Sequence, residues 1–375
     1  MSILNVGAMP DPLAAAYGVS LATVGLFTTA LLVVHTASQL PGGSLVDRFG
    51  ARRIGLFGLA AGAVGNALIS VTPDPTLALG LRAFTGISTG VGFVAGIDYI
   101  RAAGGSSFAQ GLFGGFAMGG GALALAVVPQ LEPWLDWRAP FLFAVVVCLA
   151  AAVVVLAGPG DPPASERPAS NRGKALRLAL DPHLARIVVL HTATFGSGLL
   201  VGTWVVALLV RHGYRPGVAG AIGSLTLALT MLSRPLGGWL LHHRPGVTRR
   251  ALAASLVVGS LGCAGLAAGG PVPATVLAAV AVGLGAGLAF APVVMAAVRI
   301  RPDAPGAAVG AVNMWGNLIV LAATPLLGLT FSLAGEGRLG FFVLAALWAA
   351  ALLALPSGRQ LGVEPVVSPE ERAAR

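Results

Sequence analysis

The chain has 375 residues, of which 56% are hydrophobic and 10% charged, against about 25% charged in a soluble domain. This excludes water as its main solvent and makes it an integral membrane protein. Its formal net charge of +9 does not indicate nucleic acid, because the basic residues lie in short loops between apolar runs and form no stripe. The 53 glycines and 6% aromatic content fit helices packed through small residues, not a barrel of short alternating strands. Cys148 and Cys263 sit inside apolar runs and read as two unpaired thiols rather than a disulfide or metal site. Neither a Walker loop nor a Ser-His-Asp or zinc-ligand spacing stands out, so the expectation is a non-enzyme without a cofactor.

A bilayer-spanning helix needs about 20 apolar residues. Eleven such runs occur near 20–46, 52–72, 76–100, 107–131, 138–157, 184–210, 216–241, 249–269, 273–298, 306–333 and 338–356. Before them, M-S-I-L-N-V-G-A-M-P-D-P-L is apolar but stops at Asp11 and Pro12, too short to cross and lacking the marks of a signal peptide. It reads as the outer half of a first helix whose inner half is missing, as a start codon placed too far downstream would produce. A short re-entrant segment is the alternative.

These runs predict an N-terminal bundle over 1–157, a Pro-, Gly- and Ser-bearing linker over 158–183, a C-terminal bundle over 184–356 and a polar, unstructured tail over 357–375. Basic residues gather in alternate loops: Arg48, Arg52 and Arg53, Arg101, the linker, Arg244, Arg249 and Arg250, and Arg299 and Arg301. The bias predicts an inner-membrane protein with linker and tail in the cytoplasm.

Between the first two runs, Gln39 to Arg53 reads Q-L-P-G-G-S-L-V-D-R-F-G-A-R-R, a charged, glycine-bearing stretch expected to form a cytoplasmic turn. A near copy, S-R-P-L-G-G-W-L-L-H-H-R, starts at Ser233, so that Ser38, Gly42, Gly43 and Leu45 match Ser233, Gly237, Gly238 and Leu240 at an offset of 195. Gly86, Gly90 and Phe93 match Gly283, Gly287 and Phe290 at 197, and A-M-G-G-G at Ala117 and Pro129 match N-M-W-G-N at Asn313 and Pro325 at 196. Three loci in one order at nearly constant offset predict two parallel six-helix bundles related by a pseudo-twofold axis, with a substrate site between them near mid-membrane.

G-G-S-L-V-D-R-F-G-A-R-R resembles the signature loop between helices two and three of the major facilitator superfamily. Arg82, Gly86 and Gly90 resemble a second motif of that family, in helix four. The family resemblance implies an all-helical transporter that works by alternating access, with loop ion pairs stabilising the outward-facing state. The glycine-proline motif of its antiporters is not kept, since no proline follows Gly119. S-R-P-L-G-G resembles helix eight of nitrate and nitrite porters, which implies that Arg234 holds an anion. Trp315, Gly316 and Asn317 look like those porters too, whereas glycines at 119–121 replace their helix-five asparagine.

A charge inside the bilayer costs several kcal/mol unless paired, snorkelling or facing water. Arg82 lies well inside its run and reads equally as a partner of main-chain carbonyls or as a substrate or coupling group. Arg234 is nearer the linker side, where snorkelling competes with function. None of the fourteen carboxylates falls at the centre of a run. A cavity with arginines and no acid is positive and suits an anionic substrate.

The expected substrate contacts are Arg82, Arg234, Asn313, Asn317 and His191. His35, His191 and Arg82 are the coupling candidates, since imidazole titrates near neutral pH. Gly43, Asp47, Arg48, Arg52 and Asp98 form the expected gate, with a plain surface ion pair as the bland reading. The partners are then a small-molecule substrate, H+ as candidate coupling ion and the lipid bilayer, with the protein a monomer. Efflux of lipophilic cations is the alternative within transport, and a non-transporting receptor or scaffold the alternative outside it.

Overall fold

The computed structural model describes residues 2–102, 107–158, 160, 180–302 and 305–363. Most of the 158–183 linker and the tail beyond 363 therefore lie outside the described residues. Within them the chain is helical, without a strand. The helices are α1 (Pro10–Tyr17), α2 (Leu21–Phe49), α3 (Ala51–Ser70), α4 (Pro75–Ala102), α5 (Ser107–Leu135), α6 (Ala139–Ala157), α7 (Ala185–Arg211), α8 (Pro216–His243), α9 (Pro245–Ala268), α10 (Val272–Ile300), α11 (Pro305–Thr330), α12 (Arg338–Ala354) and the short α13 (Gly358–Leu361). Nine stretches among the described residues are long and apolar enough to cross a bilayer; Arg338–Ala354 is a shorter apolar helix.

The first residues make a 3-10 turn over Val6–Ala8, then the two-turn α1, started by Pro10 and Pro12 and ended at Gly18 with φ 62°. Ser20 caps α2, its Oγ accepting from the Thr23 amide. The Gln39–Arg53 stretch corrects one expectation. It is helix through Phe49, and the turn is the single residue Gly50, whose φ of 90° suits glycine. Gly42 serves packing instead, lying against Val91 of α4. The tail also departs from expectation at its start: Ser357 and Gln360 form a reciprocal capping box on α13, and Leu361 is buried.

The repeat is visible as matched contacts. A Cβ on Gly86 would strike the Leu31 carbonyl, and one on Gly283 the Thr226 carbonyl. Gly90 abuts Ser38 and the His35 carbonyl, while Gly287 abuts Ser233 and the Thr230 carbonyl. Each second-half pair is its first-half pair moved by the offsets seen in the sequence. The pairs α2–α4 and α8–α10 thus pack backbone to backbone through glycine, as small-residue interfaces do where lipid supplies no hydrophobic drive between helices.

Two helix pairs join the halves, α5 with α8 and α2 with α11. Gly119 of α5 fits under the Met231 sulfur, and Gly25 of α2 lies against Pro325, the Thr324 carbonyl and Trp204. α7 is the most deeply buried of the nine stretches. Gly7 of the first turn packs on the α7 backbone at Thr203, and Asp11 pairs with Arg211 at the end of α7 away from the linker.

Candidate functional site

α8 carries Arg234 one residue before Pro235, whose ring leaves the preceding turn without a main-chain hydrogen bond. Arg234 is buried. Its Nη1 donates to the Gly114 carbonyl of α5 over 2.8 Å, which crosses from one half to the other. Its guanidinium carbon stands 4.3 Å above the centre of the Phe290 ring and 6.0 Å from that of Phe195. The buried Nε has no partner.

His191 lies beyond Phe195 on α7. The two rings stack at 4.9 Å and 11°, an i, i+4 pair. A five-residue π segment, Thr192–Gly196, begins right after His191 and carries the half-buried Thr192 and Phe195. Such bulges gather at functional sites. Neither imidazole nitrogen makes a hydrogen bond of ordinary geometry, and the buried Thr192 hydroxyl is also unpartnered. Asn313 and Arg234 nevertheless lie within electrostatic reach of the ring. Gly316 lets α11 approach, since a Cβ there would meet the His191 ring at 3.0 Å. Asn317 is half-buried on the same helix.

The matching place in the N-terminal half is neutral and satisfied. Gln39, at the position equivalent to Arg234, bonds through Nε2 to His35 Nε2 at 2.9 Å; His35 Nδ1 meets Thr89 Oγ1 at 3.0 Å, and Thr89 bonds to the Gly86 carbonyl. With the amide as donor, His35 is the Nδ1–H tautomer, an assignment made from the network. Phe93, the equivalent of Phe290, faces His35 at 6.4 Å.

Arg82 is fully buried, yet it shares no partner with Arg234. Its Nη2 donates to the Ser2 carbonyl at 2.9 Å, its Nε to the Phe27 carbonyl at 3.3 Å and its Nη1 to Asn5 Oδ1 at 3.4 Å. Asn5 in turn donates to the Pro140 carbonyl. Arg82 therefore ties the first turn, α2 and α4 together.

Of the expected gate, Arg48 stacks on Phe49, and Arg52 donates to the Val155 and Leu156 carbonyls at the end of α6. Gly43 falls within α2, and the side chains of Asp47 and Asp98 lie outside those described. A described ion pair on the linker side is instead Asp181 with Arg301, 2.5 Å apart, with His183 also on Asp181. The hydrogen bond from Arg301 holds this carboxyl down at about 2.

Sequence reading thus singled out Arg234, His191 and Asn313, which the fold brings together, but missed Phe195, Phe290 and Gly114. The i, i+4 spacing of His191 and Phe195 was a usable signal, as was the Phe93–Phe290 match; the π segment had none. No carboxylate is among the described partners of Arg234, and the described ion pairs stand at helix ends or in loops. The cluster is a buried cation between aromatic faces with unpartnered donors beside it.

A sequence profile of the Major Facilitator Superfamily matches residues 1–324. No curated protein matches by sequence. Among solved structures, the crystal structure of the nucleoside transporter NupG in a D323A mutant form has a TM-score of 0.74 at 15% identity, covering 94% of this chain and 96% of that one. The crystal structure of nucleoside transporter NupG gives 0.70 at 13%, with the same coverage. Identities this low speak for the fold alone, whereas the profile covers most of the sequence: the chain belongs to the major facilitator superfamily and is a multi-pass, non-enzymatic membrane transporter of small molecules.

Proposed function

We propose that the transported solute is a small anion held by Arg234, with His191 and Asn313 beside it. One observation carries this: a buried guanidinium whose only hydrogen bond among the described residues is to a main-chain carbonyl, leaving its charge without a carboxylate. An anion would supply that countercharge in a buried site, where the interaction is stronger than in bulk water. Arg82, whose donors are used on the first turn and α2, acts as a positioning residue for the N-terminal half.

His191 is the proposed proton carrier. Next to an uncompensated Arg234 a second positive charge is disfavoured, and an anion on Arg234 removes that penalty. Anion and proton would then bind cooperatively and reciprocally, which is the coupling that symport needs. The protein is read as an inner-membrane monomer with its linker in the cytoplasm, on the basic-residue bias of the loops. The unit boundaries remain those proposed from the sequence, at 157, 183 and 356.

A neutral planar solute such as a nucleoside is the second reading, favoured by the parallel His191–Phe195 pair and the Asn313 amide. A proteoliposome flux panel of anions, nucleosides and cationic dyes, with and without a pH gradient, separates the readings. Anion uptake stimulated by inward-directed protons is expected; nucleoside or dye flux without anion flux would overturn it.

A further inference from the structure

We infer that the anion is an organic carboxylate, bound side-on to the Nε–Nη2 edge of Arg234, rather than a tetrahedral or spherical inorganic ion. The inference rests on the anion reading above and narrows it to one chemical class.

In a guanidinium, Nε–H and one Nη2–H project in parallel, while Nη1 faces the other way. Here Nη1 is committed to the Gly114 carbonyl. Nε is buried and has no partner. The remaining pair of parallel donors matches the two oxygens of a planar carboxylate, the geometry in which arginine is most selective. A tetrahedral oxyanion can use the same edge but presents further charged oxygens, and the neighbouring groups do not suit them. Phe290 covers one face of the guanidinium at 4.3 Å, and Phe195 flanks it at 6.0 Å. Such aromatic surroundings offer extra anionic oxygens no hydrogen-bond donors and leave them desolvated.

The other orphan atoms define the rest of the ligand. Both His191 nitrogens and the Thr192 hydroxyl are buried without a bond of ordinary geometry. A neutral imidazole offers one donor and one acceptor. A bare carboxylate, or nitrate, only accepts, so it leaves the imidazole acceptor unmet. The pair is completed by a carboxylate whose carbon skeleton also carries a hydroxyl or an amide. The inferred substrate is a small hydroxy- or amido-carboxylate, with its carboxylate on Arg234 and its second polar group at His191.

The test uses the full-length protein in two measurements. In proteoliposomes, uptake of a labelled hydroxy-carboxylate (lactate, then mandelate) is competed with unlabelled acetate, nitrate, phosphate and sulfate. In detergent, thermal unfolding of the wild type is followed with the same set, so a binding result stands even where a variant does not fold. The expected result is saturable hydroxy-carboxylate uptake, competition by acetate at least about tenfold weaker, and little by phosphate or sulfate. The same order is expected in stabilisation against heat. Arg234→Lys keeps the charge without the parallel edge, so carboxylate preference over sulfate should fall about tenfold or more. Preference for nitrate, phosphate or sulfate overturns the carboxylate inference while leaving anion transport standing. Absence of any anion flux or stabilisation overturns the anion reading itself.

Discussion

Arg234 donates to the carbonyl of Gly114 over 2.8 Å, so a charged side chain of the C-terminal half holds the backbone of the N-terminal half. Alternating access requires contacts between the halves to part and re-form. An anion on the Nε–Nη2 edge of Arg234 neutralises the guanidinium and so weakens its charge-assisted Nη1 bond to the Gly114 carbonyl. Ligand binding and loosening of the α5–α8 interface are thereby linked through one group.

That link predicts a change in accessibility at position 114. A side chain there meets nothing within 4 Å, so cysteine fits. In a background of Cys148→Ser and Cys263→Ser, Gly114→Cys should react faster with a thiol reagent when transported anion is saturating. An unchanged rate would separate Arg234 from the motion of α5. Gly119→Leu is the contrasting variant, since its side chain would drive into Met231, 2.7 Å from a Cβ, and should arrest transport.

Equivalent glycines in the two halves should differ in tolerance. Gly42→Ala asks only that Val91 give way slightly, at 3.3 Å, and should lower thermal stability little. Gly237→Ala, its partner in the repeat, places a Cβ against the Leu288 carbonyl, which side-chain movement cannot relieve. It should cost on the order of 1–3 kcal/mol. Gly259→Ala should be as damaging, because Trp348 fills the space its Cβ would take. Unfolding of purified variants in one detergent checks the ranking.

The Asp181–Arg301 pair predicts a pH signature. Its carboxyl is held at about 2 in the folded protein, against roughly 3.9 when unfolded. A depressed carboxylate stabilises fully above the unfolded value, and that stability is lost as pH falls from about 4 toward 2. Asp181→Asn should therefore lower the wild-type melting temperature by a constant amount from pH 5 to 8, corresponding to about 1 kcal/mol. The difference should shrink below pH 4. A difference that instead grew on acidification would exclude this pair as the source.

Arg82→Gln should separate structure from binding. It removes a charge that donates to Ser2, Asn5 and Phe27, and loss of buried partners of this kind destabilises by roughly 1–3 kcal/mol. The folded fraction should keep the wild-type KM for anion, because Arg82 and Arg234 share no partner. A large rise in KM at unchanged stability would return Arg82 to the binding site.

Much of this architecture was legible beforehand. The runs from 20–46 to 338–356 match α2 through α12, because lipid demands continuous helices of fixed length and the demand is written in composition. The repeat offsets foretold which glycines are equivalent in the two halves, since close backbone approach leaves one residue type few substitutes. Gly50 as the whole turn was not legible, because Gly42, Gly43 and Gly50 look alike until packing assigns the first to Val91. Arg82 and Arg234 likewise look alike as buried arginines. Only the fold shows that Ser2, Asn5 and Phe27 give each guanidinium nitrogen of the first a partner, whereas the second keeps an unpartnered edge. The π segment after His191 depends on tertiary packing and leaves no periodic trace.

The most direct measurement is the KM for anion uptake in proteoliposomes of wild type and Arg234→Lys, reconstituted at matched density. Replacing a bidentate, charge-assisted pair of hydrogen bonds by a single ammonium predicts a rise of about 10- to 100-fold with the protein still folded. Identical KM and rate in the two proteins would contradict the placement of the anion on Arg234.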